Sequence, residues 1–355
     1  MQLKTAKPSV LVIGSSNTDM LVKVDRLPQS GETILGGEFA TAAGGKGANQ
    51  AVSAARAGGE VTFIARVGAD TFGQLALDAL HANGIHTDYV VRDPARPSGV
   101  ALIFVAKTGQ NSIAVAPGAN GKLSPADVRK AKSALCSASV LLLQLETPLP
   151  TVQAAAQLAA AAGVRVILNP APARPLPARL LENLYLLTPN EIEASRLSGV
   201  VVNSQETAAL AAAKLLARGV RNVIITMGAR GAYVAGPGVR RFIAAHKVNA
   251  VDATGAGDTF NGALAVAIAE GQSLFEAASF ANAAAALSVL RLGAQTSAPT
   301  RKEIEHFLAA GKIPSALPAF TPSHNGNNGR SGLTARKIKK GRPNPRRTLA
   351  SKLAP

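Results

Sequence analysis

The sequence predicts an α/β fold: a doubly wound, mostly parallel sheet with helices on both faces and a small projecting β-sheet lid. Three observations carry this. Short apolar runs recur along roughly the first three hundred residues, nearly continuous rather than alternating, as strands covered on both faces require. Between them lie helical stretches that open on Ser, Thr or Asp and several of which close on Gly. In two places strand-like segments follow one another with no helix between.

In chain order the strand candidates are SVLVIGS (9–15), VTFIARV (61–67), VLLLQLE (140–146), VRVILNP (164–170), YLLTP (185–189) and NVIITMG (222–228). DTFGQLALDALHANG, SPADVRKAKSAL, PTVQAAAQLAAAAG and SQETAALAAAKLLARG supply helices between them, and that alternation argues a mostly parallel sheet. The exceptions are MLVKV (20–24) with TILGGEFA (33–40), and GVALIFVAK (99–107) with SIAVA (112–116). They read as paired strands of a lid or interface over about 17–43 and 97–118.

With 355 residues, 47% of them hydrophobic, the chain has enough apolar surface for a large core, expected over 1–313. The formal charge of +17 is unevenly spread. From Ala316 onward there are nine Lys or Arg and no acid, which leaves +8 for the rest. The stretch 314–355 is rich in Pro, Gly, Asn and Ser, so it reads as a basic, disordered tail. A contact with nucleic acid is one reading of that tail. A solvated extension is preferred, because no aromatics interleave the charges. Cys136 is the single cysteine, which excludes an internal disulfide framework and fits a reducing cytoplasm. His81, His86, His246, His306 and His324 lack ligand spacing, so no structural zinc is expected. No apolar run is long enough to span a bilayer, and the N-terminus lacks a cleavage pattern, so neither membrane nor secretory signal is expected.

The chemistry concentrates in a few stretches. VDATGAGDTFNGA (251–263) puts two glycines and an aspartate at the head of an apolar helix. Unobstructed backbone N–H groups at a helix start form an anion cradle. A carboxylate there would repel a bound phosphate. Asp258 therefore makes sense facing the nucleophile that attacks the phosphate, taking an alcohol proton while the N–H groups steady the transferring group. The bland reading is a first-turn acid favoured by the helix dipole.

AAGGKGANQ (42–50) is not a Walker A loop, since Lys46 precedes Gly47 and not Ser or Thr; it offers Lys46 and Asn49 as donors for hydroxyl groups. In TPNEIEA, Asn190 and Glu193 share one helix face, though a cap with a first-turn acid explains them equally well. NTD (17–19) and Glu146 follow strands, where open α/β sheets place ligands. TMGARG (226–231) reads either as a loop under a nucleotide or as an ordinary hairpin turn.

GSSNTD, AGGKGANQ, LQLE, LNPAPAR, TPNEIEA, TMGARG and DATGAGDTFNGA, in this order, resemble the PfkB family of carbohydrate kinases over roughly residues 9 to 310. NTD, GGKGAN, NPAPAR and GAQTS narrow the likeness to its ribokinase branch. The resemblance implies ATP and D-ribose as substrates, D-ribose 5-phosphate as product, Mg²⁺ with the ATP, K⁺ as an activating cation and a homodimer through the lid sheet. By position, Asp258 matches the catalytic base, and Gly255, Ala256 and Gly257 match the anion hole. Asn17, Asp19, Gly45, Lys46, Asn49 and Glu146 match sugar contacts. Asn190, the loop from Thr226 through Gly228 to Gly231, Gly257 and Asn282 match nucleotide contacts. Asn190 and Glu193 match an N-x-x-E motif that organises Mg²⁺ through water. Asp252, Thr254, Ser288, Arg291, Gly293 and Ser297 match a monovalent-cation site, several of them through carbonyl oxygens. Many relatives read D-T-x-G-A-G-D where this chain has Ala253, which leaves Asp252 and the cradle intact. A deoxyribokinase or another sugar or nucleoside kinase of the family is the alternative.

Overall fold

The computed structural model describes residues 8–310; the basic tail expected over 314–355 lies outside the described residues. The strands are β1 (Ser9–Ile13), β2 (Asn17–Val24), β3 (Glu38–Gly44), β4 (Glu60–Gly68), β5 (His86–Asp93), β6 (Gly99–Ala106), β7 (Asn111–Ala116), β8 (Val140–Leu143), β9 (Arg165–Leu168), β10 (Leu186–Leu187), β11 (Val223–Thr226), β12 (Gly231–Gly236) and β13 (Val239–Ala244). Nine form one sheet in the order β13-β12-β11-β10-β9-β8-β1-β4-β5. From β11 to β5 every pairing is parallel, and β12 and β13 close one edge antiparallel.

Successive residues of β1 belong to opposite faces. Val10 and Val12 enter a core with Val52, Phe63, Leu264 and Leu287, while Leu11 and Ile13 enter a second with Leu141, Val152 and Leu215. That two-sided burial is why the strands read as unbroken apolar runs. Strand order reverses at β1, which has β4 on one side and β8 on the other. The crevice for a ligand is expected there, beyond the carboxyl ends of β1 and β8.

The lid is a separate four-stranded sheet, ordered β3-β2-β6-β7. Its two hairpins are antiparallel, as the sequence suggests, and β2 joins them by pairing parallel with β6. The expected strand over 33–40 starts only at Glu38, because Gly36 and Gly37 adopt φ of 101° and 117°, outside extended backbone. NTD is not a loop after β1 but the first three residues of β2. Among the described residues no helix is long and apolar enough to cross a membrane.

Two helices decide where the site forms. Lys46–Arg56 and Ala256–Ala269 are small-residue helices lying against each other, each buried over most of its length. A Cβ on Gly262 would come 2.6 Å from the Gln50 carbonyl oxygen and 2.6 Å from Ser53 Cβ. Replacing a helical Gly by Ala gains about 1 kcal/mol of propensity. Here the clash is with backbone, and overpacking of about 1–3 kcal/mol outweighs that gain. Gly262→Val is expected to lower the urea midpoint of unfolding clearly; an unchanged midpoint would mean the two helices are not so closely held.

Candidate active site

Gly255 caps the helix Ala256–Ala269 at φ 74°, and a Cβ there would lie 2.8 Å from Ala294. Only glycine fits both demands. No side chain caps this helix end. The Ala256 N–H is engaged, donating to the Ala253 carbonyl at 3.2 Å. That is a refinement of the expected cradle: the N–H groups of Gly255, Gly257 and Asp258 point to no protein acceptor and are the ones left for an anion. A Cβ on Gly257 would meet nothing within 4 Å, so this glycine keeps open a space that the protein itself leaves unfilled.

Asp258 follows in the first turn and is buried. Its two carboxylate oxygens accept from Gln50 Nε2 at 2.9 Å and Asn49 Nδ2 at 3.0 Å. The apposed helices thus bring the two glycine-rich stretches together from more than 200 residues apart.

The residues expected to face a sugar gather beside Asp258. Gly45 turns the chain at φ 87°, packed against the backbone of Ser16 and Asn17, and leads into Lys46–Arg56. Glu146, just past β8, accepts through Oε2 from Ser15 Oγ at 2.5 Å and from Lys46 N at 3.0 Å. Its other oxygen has no donor among the described residues. Asn17 Oδ1 accepts from Asn120 Nδ2 at 2.8 Å, so the Asn17 amide nitrogen remains as the group offered to a ligand. Asp19 lies opposite Ala42 of β3, and a Cβ on Gly44 would reach its carboxyl group within 2.2 Å. Burial, then the charges of Glu146 and Asp258, pushes the Asp19 carboxyl up to about 6. The Lys46 ammonium is raised, first by Asp258 and then, against its own burial, by Glu146 and Glu193. It is a cation set among three carboxylates.

On the other side, Asn190 and Glu193 form a full capping box: Glu193 N donates to Asn190 Oδ1 at 2.8 Å, and Asn190 N to Glu193 Oε2 at 2.9 Å. The cap reading of the sequence therefore holds. Among the described residues Glu193 Oε1 and Asn190 Nδ2 have no partner, and burial raises the Glu193 carboxyl. The remaining Glu193 oxygen can accept from the waters of a hydrated Mg²⁺, and the Asn190 NH₂ beside it is a donor to a phosphate oxygen or water, not a metal ligand. Asn190 also bridges to Thr226. Gly228–Arg230 is one turn of 3₁₀ helix inside an antiparallel hairpin, so the hairpin reading of TMGARG is right as well. Asn282 Nδ2 donates to Ala244 O at 3.0 Å and Ala245 N to Arg230 O at 3.1 Å, which sets Asn282 beside that turn.

The expected cation residues divide. Asp252 accepts from Thr254 N at 2.9 Å and Gly293 N at 2.8 Å, and Val251 N and Asp252 N both donate to Val289 O. Against the upward pull of burial, those donors hold the Asp252 carboxyl below its ordinary range. The loops 251–255 and 289–297 are thereby laced together. Ser288 and Ser297 are buried with their hydroxyls turned to the Ala285 and Ala294 carbonyls. The Arg291 guanidinium pairs with Glu303, so only its carbonyl is available to a cation. A carboxylate, hydroxyls and carbonyls form an oxygen donor set that fits K⁺.

Gln50, Gln144, Asn169, Asn261, Gln295 and Asn120, none of them legible as site residues in the sequence, are buried polar residues that carry the site's hydrogen bonds. Their signal lay in the glycine-rich stretches and strand ends themselves: a polar side chain where an apolar strand or helix should continue.

A profile of the pfkB family carbohydrate kinases matches residues 7–301. A ribokinase of Haemophilus influenzae is 44% identical over 85% of this chain and 99% of its own length. One of Bacillus subtilis is 43% identical over 85% and 99%. The structure of Arabidopsis thaliana ribokinase complexed with ribose and ATP superposes with a TM-score of 0.80 at 38% identity, covering 85% of this chain and 99% of that one. A buried aspartate behind an open helix N-terminus, between a polar crevice and a glycine turn, is thus set in a chain that belongs to the PfkB family of carbohydrate kinases.

Proposed function

We propose that this chain phosphorylates D-ribose at its 5-hydroxyl with ATP, giving D-ribose 5-phosphate and ADP. The observation that carries the reading is Asp258, buried between the hydroxyl-binding groups and the unfilled N–H cradle. The identity to proteins named ribokinases, one of them seen with ribose and ATP, supports it.

Ribose hydroxyls are held by the Asn17 amide, the Asp19 and Glu146 carboxylates, Lys46 and Asn49, with the lid excluding water that would otherwise compete for the phosphate. The 5-hydroxyl lies between Asp258 and the γ-phosphate of ATP. As its oxygen bonds to phosphorus the hydroxyl turns acidic, and its proton passes to Asp258. The bond to ADP breaks on the far side. The cradle N–H groups of Gly255, Gly257 and Asp258 and the Lys46 ammonium meet the charge that spreads over the transferring phosphoryl group. Asn190, Thr226, Gly228, Gly231 and Asn282 line the nucleotide side. Asn190 and Glu193 would hold Mg²⁺ through water, which neutralises phosphate charge. Asp252, Thr254, Gly293 and the carbonyls and hydroxyls around Ser288, Arg291 and Ser297 would hold K⁺, stiffening the turn that forms the cradle. ATP chemistry on a free sugar supports a cytoplasmic location.

Phe39 and Leu102 are exposed on one face of the lid, Ile113 and Val115 on the other, by the ladder register. A sheet with apolar groups open on both faces supports a homodimer through the lid. Sedimentation at micromolar concentration should give a dimer that Leu102→Glu weakens; a monomer would overturn this.

Asp258→Asn should lower turnover on the order of 10²-fold or more with sugar and ATP binding kept. A fall of less than tenfold would remove Asp258 from its role. Among D-ribose, 2-deoxyribose, fructose and adenosine, D-ribose should be strongly preferred; preference for 2-deoxyribose would favour the deoxyribokinase reading.

Asp19 titrates near 6, above its ordinary value, so it is ionised and able to accept sugar hydroxyls only above about that pH. KM for D-ribose should therefore rise about tenfold per unit as pH falls below it. Asp19→Asn should abolish that dependence; a pH-independent KM in the native enzyme would refute it. Replacing K⁺ by tetramethylammonium should lower turnover, and equal rates would sink the cation site.

A further inference from the structure

A carboxylate can only accept hydrogen bonds, so each amide facing Asp258 must turn its NH₂ toward it and its carbonyl away. Both carbonyls then need a donor, and each finds one in another amide. Gln144 Nε2 donates to Gln50 Oε1 at 2.6 Å, and Gln50 Nε2 to Asp258 Oδ1 at 2.9 Å. Gln295 Nε2 donates to Asn49 Oδ1 at 3.2 Å, and Asn49 Nδ2 to Asp258 Oδ2 at 3.0 Å. Two parallel two-amide relays thus end on the two oxygens of one carboxylate.

The Gln144 relay leaves a polar group without a partner. Gln144 is 1% exposed, yet its Oε1 has no hydrogen-bond partner among the described residues and lies 2.1 Å from where a Cβ on Gly14 would stand. Turning the amide over would set two oxygens face to face with Gln50, so the donor direction is forced. A buried oxygen left unpaired argues that the relay is kept for something other than stability. The second Gln50 bond, from Nε2 to Asn169 Oδ1 at 3.1 Å, anchors it to the end of β9.

We infer that Gln50, Gln144 and Gln295 are positioning residues for Asp258: the relays fix the rotation of its carboxylate, and Gln144 acts on it only through Gln50. The inference rests on the reading of Asp258 as the base. With the relay cut, the carboxylate is free to swing toward the Lys46 ammonium, and the lone pair meant for the substrate hydroxyl is spent there. Misplacement of a reacting group on the 1 Å scale costs on the order of 10²-fold.

The test is a double-mutant cycle on kcat and KM with D-ribose and ATP. Gln50→Leu should lower kcat by about ten- to a hundredfold with both KM values within about twofold. Gln144→Leu should lower kcat by a smaller factor, and the double variant should be no slower than Gln50→Leu alone. In an Asp258→Asn background, Gln50→Leu should change kcat by less than about twofold, a coupling that loss of packing would not produce. Gln295→Leu tests the other relay by the same kcat-against-KM split and stands in if Gln50→Leu does not fold. Additive effects of Gln50 and Gln144, a full further loss in the Asp258→Asn background, or changes confined to KM would overturn the proposal. If Asp258→Asn itself remains active, the base assignment fails instead.

Discussion

The close contact between the helices Lys46–Arg56 and Ala256–Ala269 is the constraint on which the site depends. Gly262 admits the backbone of Gln50 and Ala54 and the Cβ of Ser53 at a distance no side chain would allow. Because the helices meet there, Asn49 and Gln50 reach the carboxylate of Asp258 one turn away. Close packing costs side-chain volume, which both helices give up by using Gly, Ala and Ser. Its return is a polar site held by elements that are otherwise core.

The sheet supplies the second half of the arrangement. Its strands are apolar on both faces, so a polar residue has no place within them and appears where they stop. Gln144 and Glu146 follow β8, Asn169 follows β9, and Thr188 follows β10. Thr188 Oγ1 donates to Asn261, which donates to the Gly257 carbonyl at 2.8 Å, so the strand ends also brace the turn of the cradle. A carboxylate in a buried setting is costly unless its hydrogen bonds are met. Here neighbouring amides meet them, which leaves Lys46 free of any direct ion pair among the described residues.

The lid follows a different logic. It is thin, half exposed and joined to the sheet through the Gly14–Ser16 segment, where Asn120 clasps the chain through Ser16 N, Ser16 O and Asn17 Oδ1. Asn17 and Asp19, proposed to contact the sugar, begin β2 immediately beyond that clasp. The proposed division, with substrate contacts on the lid and Asp258 as base on the sheet domain, fits a reaction that must exclude water before it begins.

By itself the sequence determined the parallel sheet, the two hairpins of the lid and the glycine cradle, because each is written in local terms: continuous apolar runs, caps, and glycines at a helix head. It did not reveal β5, β12 or β13. HTDYVVRD and VRRFIA are polar, partly exposed edge strands, and GAYVAG, though buried on both faces, is short, glycine-bounded and poor in large apolar residues, so none reads as a continuous apolar run. Only the tertiary structure decided which N–H groups the cradle leaves free, that Asn190 and Glu193 are first a capping box, and that Gln50, Gln144 and Gln295 converge on Asp258. The convergence on Asp258 depends on contacts between residues about 90 to 250 positions apart, where amide direction is set by the partner across the fold and not by the neighbours in the chain.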